Sequence, residues 1–244
     1  MAGKNTRFHD VGYDVPKYLL PIFKETVISH ILKNLTRENA FKKIYLIAHK
    51  RDRSFFSDLL NAVEKYGLDE SNVYFLDETN GQAETAFHAI CMISDLKQNP
   101  IVFHNADTVL IGRSMSELLA NLNGGYGCID VFKATSKKYS YVTIKNNFVT
   151  NILEKKVISE WASSGLYGFT SGNIFKKYFL ESRINDNNTE IYISDVIHGM
   201  ITAGEKFLPI KNTLEEDYNS TLVLGSPEEY LATLAGENLW RSNG

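Results

Sequence analysis

The sequence predicts a mixed α/β fold, a mostly parallel sheet flanked by helices and followed by an antiparallel lobe. Three observations carry this. Through about residue 110, short apolar runs alternate with segments of helical periodicity, the rhythm of a parallel sheet covered on both faces. After about residue 125, strand-like runs follow one another with a tight turn between them. The chain has 244 residues, 43% hydrophobic and 23% charged, enough for one large α/β domain. No Pro/Gly-rich linker divides it. We therefore expect one domain over 1–244, with lobes at 1–124 and 125–244.

The elements follow in order. "KKIYLIAH" (42–49) is an apolar run rich in strand formers and reads as a buried strand. "SFFSDLLNAVEKYG" (54–67) has apolar residues at helical spacing and stops at Gly67, a natural C-cap. "NVYFLD" (72–77) is a second strand, "GQAETAFHAICMISDL" (81–96) a helix, and "PIVFHNAD" (100–107) a third strand ending in polar residues. Ser114 and Glu117 match a capping box. "YGCIDVFKAT" and "YSYVTIKNNFVTNILEK" read as antiparallel strands, with "KNN" (145–147) as the turn. "GNIFKKYFLESR" and "EIYISDVIHGMITAG" read as helices and "KFLPI" as a short strand. "SPEEYLATLAGENLW" starts a last helix, with Ser226 as N-cap, Pro227 at the first position and Glu229 completing a capping box.

Charge and composition narrow the function. The net charge is −3, with no basic block, which argues against a nucleic-acid groove. No apolar run approaches the ~20 residues needed to span a bilayer, and no signal peptide is visible. Cys91 and Cys128 lie in apolar text without CxxC spacing and read as reduced core thiols of a cytoplasmic protein. The six histidines show no ligand spacing for zinc. A small molecule or another protein is the expected partner.

Three segments should carry chemistry, because ligands of open parallel sheets bind beyond the strands' carboxyl ends. In "AGKNTRF", Gly3 permits close backbone approach, successive N–H groups can cradle phosphate, and Arg7 adds a cationic fork. Lys17 follows as a point charge. The alternative is an N-terminal tail with scattered charges. In "TNGQAETAF", Gln82 and Glu84 occupy the first turn of a helix. Gln82 has an amide suited to a nucleobase edge; the alternative is a plain cap, with Glu84 complementing the helix dipole. In "FHNADTVL", Asp107 at a strand's end is a natural Mg²⁺ ligand when phosphates are near; the alternative is a turn aspartate.

Taken together, "MAGKNTRF", "PKYLLPI" and "NADT" resemble the nucleotidyltransferase superfamily that makes activated sugars and alcohols. The resemblance continues through "GQAET", "ILEKK", "ISEWASSGLYGF", "EIYISDVI" and "LGSPEEY". These later strings look most like members from bacterial capsule and surface-polysaccharide clusters. It implies a Rossmann-like fold whose antiparallel lobe binds the acceptor. It also implies a nucleoside triphosphate, CTP favoured, a phosphorylated acceptor such as phosphoglutamine, Mg²⁺, and release of pyrophosphate. By resemblance, the nucleotide is met by Ala2, Gly3, Asn5, Thr6, Gln82 and Asp107, with Arg7 and Lys17 on its phosphates and Asp107 on the metal. The acceptor falls to Glu154 and Lys155, whose ammonium would meet its phosphate. Gly165 and Tyr167 would line that pocket, and Tyr192, Ser194 and Asp195 would reach it from a helix. For these last three, a solvated helix face with Tyr192 in the core is the alternative.

The chain departs from the pattern in places. Asn5 replaces the second glycine of Gly-x-Gly; asparagine tolerates positive φ better than most residues. Lys156 replaces a frequent proline and adds a cation. Val223 stands where Asp-x-Gly-Thr supplies the second metal carboxylate; the alternatives are substitution by Glu216 or Asp217, or Mg²⁺ held by Asp107, phosphates and water alone. The strand that normally precedes the loop is missing before Met1, and we expect it upstream in the natural protein. Two other functions stay open: a sugar-1-phosphate uridylyl- or thymidylyltransferase, and a non-catalytic nucleotide-binding subunit.

Overall fold

The computed structural model describes residues 6–185, 190–211 and 220–236. The chain packs as two compact units, each assembled from separated stretches. The first comprises Met1–Glu78, Asn105–Arg113 and Leu214–Gly244; the second comprises Thr79–His104 and Ser114–Thr213. Both take chain from either side of residue 124, so their limits differ from those of the expected lobes.

In the first unit, the strands Leu46–His49 and Val73–Leu76 pair in parallel. Between them lies the helix Phe56–Val63, which ends through a 3-10 turn at Gly67 with φ 76°, the left-handed C-cap that the sequence anticipates. The helix Val27–Thr36 opens at Thr26, whose hydroxyl accepts from the Ser29 N–H. Its Ile28 and Leu32 share a core with Tyr18, Leu46, Leu59 and Val63. A second small sheet pairs Thr108–Leu110 antiparallel with Thr221–Val223. The helix Pro227–Ala235 begins at Ser226, whose Oγ accepts from the Glu229 N–H. Its Tyr230 packs edge-on against Phe8 and Tyr13, and its hydroxyl donates to the Pro21 carbonyl at 2.7 Å. Among the described residues, Leu46–His49 and Val73–Leu76 form a two-stranded sheet. The strand expected ahead of the N-terminal loop lies outside them.

The second unit is built on a six-stranded sheet. Its order is Ile101–His104, Trp161–Phe169, Gly127–Lys133, Phe207–Lys211, Phe148–Leu153, Tyr141–Lys145. Here the pairing is parallel only between Gly127–Lys133 and Phe207–Lys211; the other neighbours run antiparallel. The fold is thus mixed α/β, and this sheet is less parallel than the alternation of elements suggests. The cause is Trp161–Phe169, which enters between Ile101–His104 and Gly127–Lys133 in the opposite direction. Asn146 and Asn147 turn the hairpin with φ of 50° and 63°, as a two-residue hairpin turn requires. The helices Gln82–Met92, Gly172–Asn185 and Ile193–Thr202 supply Ile90, Phe175, Phe179, Val196 and Ile197 to a core shared with Ile129, Val131, Tyr167 and Phe169. Among the described residues, no helix is long and apolar enough to cross a membrane.

Candidate active site

The first unit brings Lys17 and Asp107 together. Lys17 follows Pro16, whose extended backbone (φ −55°, ψ 136°) leads into the 3-10 turn Lys17–Leu19. Tyr18 and Leu19 are buried, and the Tyr18 hydroxyl donates to Asp52 at 3.0 Å. Burial, reinforced by the Asp52 charge and hydrogen bond, pushes the Tyr18 phenol well above its ordinary range. The side chain after Lys17 is therefore a fixed anchor, and Lys17 projects from it.

Asp107 is positioned by its neighbours. Thr108–Leu110 is buried along its length. The Asp107 carbonyl accepts from the Leu224 N–H at 2.7 Å, and the Ser220 carbonyl accepts from the Ile111 N–H at 2.9 Å. Arg113, 3% exposed, donates to the Ile111 and Ser220 carbonyls and to the Thr221 hydroxyl. This buried guanidinium clamps one strand to the other. The Lys17 ammonium donates to Asp107 Oδ2. The two side chains keep 24% and 16% of their exposure. Burial works against the Asp107 charge, but the Lys17 ammonium outweighs it and holds the carboxyl below its usual range.

A divalent cation fits here. A hard cation such as Mg²⁺ seeks carboxylate oxygens and takes few from protein; Asp107 is the carboxylate that would hold one, and its Oδ2 accepts from the Lys17 ammonium in this structure. An ideal Cβ built on Gly225 would lie 3.5 Å from both Asp107 Oδ2 and Glu229 Oε2. Gly225 therefore lies beside both carboxylates. Among the described residues, no group of three or more His, Cys, Asp or Glu could hold a metal by itself.

The second unit gathers the residues assigned to the acceptor. Glu154 Oε2 accepts from the hydroxyls of Ser140 and Ser194, the latter at 2.8 Å. Lys155 has φ 53°; its ammonium lies 3.9 Å from Glu154 Oε1 and donates to the Tyr192 hydroxyl at 2.7 Å. That hydroxyl donates to Glu190 Oε2 at 2.7 Å. The hydrogen bond to Tyr192 raises the Lys155 pKa, keeping the ammonium charged. Tyr167 is buried, and burial pushes its phenol up to about 12 against hydrogen bonds to Ser163 and Ser140. Gly165, with φ 90°, sits in an irregular stretch of Trp161–Phe169, and its N–H donates to Ser163 Oγ. Asp195 accepts from the Tyr192 N–H at 2.9 Å and so caps its own helix.

The turn before Gln82 belongs to the same unit. Gly81 has φ 109°, and a Cβ there would meet Glu190 Cγ at 3.0 Å and the Ile191 carbonyl at 3.2 Å. Glu84 accepts from the Asn80 N–H at 2.5 Å and from Arg183 at 2.7 Å. Glu84 thus ties the turn to the helix Gly172–Asn185, while Gln82 stays exposed.

Of the other expected residues, Ala2, Gly3 and Asn5 lie outside the described residues, as do Glu216 and Asp217. Thr6 and Arg7 lie in the short helix Thr6–His9, and their side chains are outside the description. Val223 is in the strand paired with Thr108. The sequence reading missed Ser140, Ser163, Glu190 and Arg113. Ser140 beside Glu154 gives no signal in text when 14 positions separate them. Arg113 was discoverable in principle, as a lone cation just past an apolar run.

A sequence model of the family described as Nucleotidyl transferase matches residues 1–226. The chain is 24% identical to a probable mannose-1-phosphate guanyltransferase of Schizosaccharomyces pombe, over 87% of this chain and 56% of that protein. It spans about half the length of the curated relatives it matches. The nucleoside-diphosphate-sugar pyrophosphorylase of Vibrio cholerae RC9 superimposes with a TM-score of 0.81 at 22% identity, covering 96% of this chain and 98% of that one. An inositol-1-phosphate CTP transferase from T. maritima superimposes at 0.69 with 14% identity, covering 97% and 93%. At these identities the structural likeness shows the fold. With the family match running over nearly the whole sequence, the chain belongs to the nucleotidyl transferase family.

Proposed function

We propose that this chain transfers the nucleoside monophosphate of a nucleoside triphosphate to a phosphorylated small molecule and releases pyrophosphate. The observation that carries the reading is the Lys17–Asp107 pair, a phosphate-binding cation and a metal-ligating carboxylate held at one point of the first unit. We read CTP as the nucleotide and phosphoglutamine as the acceptor, for modification of capsular polysaccharide. The support for that acceptor is the charge of the second unit's cluster. One ammonium, Lys155, is set among the carboxylates of Glu154 and Glu190. Such mixed charge suits a molecule with both anionic and ammonium groups.

The acceptor's phosphate is ionised near neutral pH, so no general base is needed. One of its oxygens attacks the α-phosphorus in line. The new P–O bond forms as the bond to pyrophosphate breaks, and the electron pair leaves with pyrophosphate. Catalysis is then positioning and charge neutralisation. Lys17 holds the departing phosphates, and family resemblance gives Arg7 the same task. Asp107 would hold Mg²⁺, which when bound withdraws charge from the phosphoryl oxygens. Gln82 reads the base edge, and Glu154 and Lys155 hold the acceptor.

A sugar 1-phosphate acceptor with UTP or dTTP is the second reading. The S. pombe relative, named as a mannose-1-phosphate guanyltransferase, favours the sugar 1-phosphate acceptor of this reading and not its nucleotide. A Glu154 carboxylate with one oxygen fixed by two serines would accept from sugar hydroxyls as well.

The test is pyrophosphate release with Mg²⁺. Each nucleoside triphosphate is offered with phosphoglutamine, phosphocholine and a set of sugar 1-phosphates. Turnover with CTP and phosphoglutamine is the expected result. Turnover with a sugar 1-phosphate and UTP or dTTP alone would replace it with the second reading. Binding of a triphosphate without release on any acceptor would point to a non-catalytic subunit.

A further inference from the structure

We propose that the first unit carries a second binding site, for a free α-amino acid with an apolar side chain, in a groove bordered by Arg53 and Glu70. The groove measures about 410 Å³ and is lined by Arg53, Phe56, Glu70, Ser71, Val73 and Phe75. None of these residues takes part in the proposed transfer. Strand alternation puts Val73 and Phe75 on one face of Val73–Leu76. The helix Phe56–Val63 buries Leu59 and Val63, while Val73 and Phe75 stay partly exposed. Phe56, the first residue of that helix, meets Phe75 edge-on with ring centroids 5.6 Å apart. The Arg53 guanidinium stands 5.0 Å from the Phe75 centroid. An apolar lining thus runs up to a cation.

Glu70 borders the groove from the 3-10 turn Glu70–Asn72, and this turn is pinned in place. Asp69 accepts from the Ser71 N–H at 2.8 Å. The Asn72 side chain accepts from the Asp69 N–H and donates to the Ile44 carbonyl, both at 2.9 Å. Arg53 and Glu70 are exposed and opposite in charge. Among the described residues they do not pair with each other, and neither has another ion-pair partner. One groove therefore offers an unpaired cation, an unpaired anion and two aromatic rings. An α-amino acid carries the complementary set: a carboxylate for the guanidinium fork, an ammonium for Glu70, and an apolar side chain for Val73 and the rings. Aromatic pairing favours phenylalanine among such ligands. The volume and the mostly apolar lining with a few charged groups are those of a small-molecule site.

The experiment titrates the full-length protein with L-phenylalanine and follows its amide NMR shifts. Saturable shifts at the groove residues are expected. Arg53→Gln and Glu70→Gln should each weaken binding by about tenfold, the cost of one charge-assisted hydrogen bond. Both side chains are exposed, so neither variant should change the melting temperature. N-acetylphenylalanine, which lacks the ammonium, should bind weakly and be indifferent to Glu70→Gln. Phenethylamine, which lacks the carboxylate, should be indifferent to Arg53→Gln. L-alanine should bind more weakly than L-phenylalanine. Absence of saturable shifts at millimolar L-phenylalanine would overturn the proposal, as would wild-type affinity in both variants. Equal binding of N-acetylphenylalaninamide, which has neither charge, would also overturn it and make a peptide segment the occupant. Pyrophosphate release by the wild type decides the proposed function independently of these results.

Discussion

Lys17 and Asp107 depend on each other. Each side chain is mostly withdrawn from water, and removing one partner strands the other's charge. Lys17→Met should lower turnover by on the order of a hundredfold, the usual cost of one lost transition-state contact. It should also destabilise the fold by about 2 kcal/mol, less than for a fully buried pair because some solvent remains. Paired kinetics and urea melts measure both, and near-normal turnover would remove Lys17 from the mechanism. The pair also sets a pH dependence. The folded Asp107 carboxyl lies below the value of the unfolded chain. Its contribution to stability is therefore complete above about pH 4 and is lost as pH falls through the folded value. Unfolding free energies measured down to about pH 2.5 should show a shallower acid limb in Asp107→Asn than in the wild type. Identical limbs would mean that the fold does not hold this carboxyl charged. Both residues were legible in the sequence, since a strand-terminal aspartate and a lysine after proline are local features. Ser140 was not, because only the folded sheet brings it to Glu154; Ser194 was placed at the acceptor pocket by resemblance, but its hydrogen bond to Glu154 was not legible.

Elements were most legible where a single residue type dictates backbone shape. Gly67 at a left-handed C-cap, Asn146 and Asn147 in the hairpin turn, and Ser226 before Pro227 all sit where local chemistry demands them. Strand direction was less legible. Trp161–Phe169 is buried almost throughout, and a strand covered on both faces reads as the same apolar run whether its neighbours are parallel or antiparallel. The turn at Gly81 combines both situations. Its glycine is visible in the text, but its reason is tertiary. With φ 109° and ψ −178° it occupies a region open essentially to glycine alone, and a Cβ would press on the Ile191 carbonyl and on Glu190. Gly81→Ala should cost about 2 kcal/mol. It should also raise the KM for the acceptor, because Glu190 is the residue that accepts from Tyr192. Urea melts and acceptor titrations report the two effects. A stable variant with unchanged acceptor KM would separate the turn from the acceptor cluster.

At the scale of the whole molecule, the chain passes from one unit to the other repeatedly and each unit draws on both sides of residue 124, which has a testable consequence. In the second unit, Ile101–His104 pairs with Trp161–Phe169, and the helix Gln82–Met92 shares its core with Phe175, Phe179 and Val196. In the first, Thr108–Leu110 pairs with Thr221–Val223, and Arg113 is satisfied by Ser220 and Thr221. A cut between 124 and 125, where the change of sequence pattern invites a boundary, severs every one of these contacts. Fragment 1–124 would lose the partner of its third strand and leave a buried arginine facing water, and fragment 125–244 would expose one side of Trp161–Phe169. Unpaired strand edges and unsatisfied buried groups are costs that neither fragment's remaining core offsets. We therefore expect neither fragment to show a cooperative urea transition alone, and co-refolding the two to restore one, as followed by circular dichroism. A cooperative transition in isolated 1–124 would mean that the alternating first half folds on its own, and that its pairings with the second half are additions to an independent core.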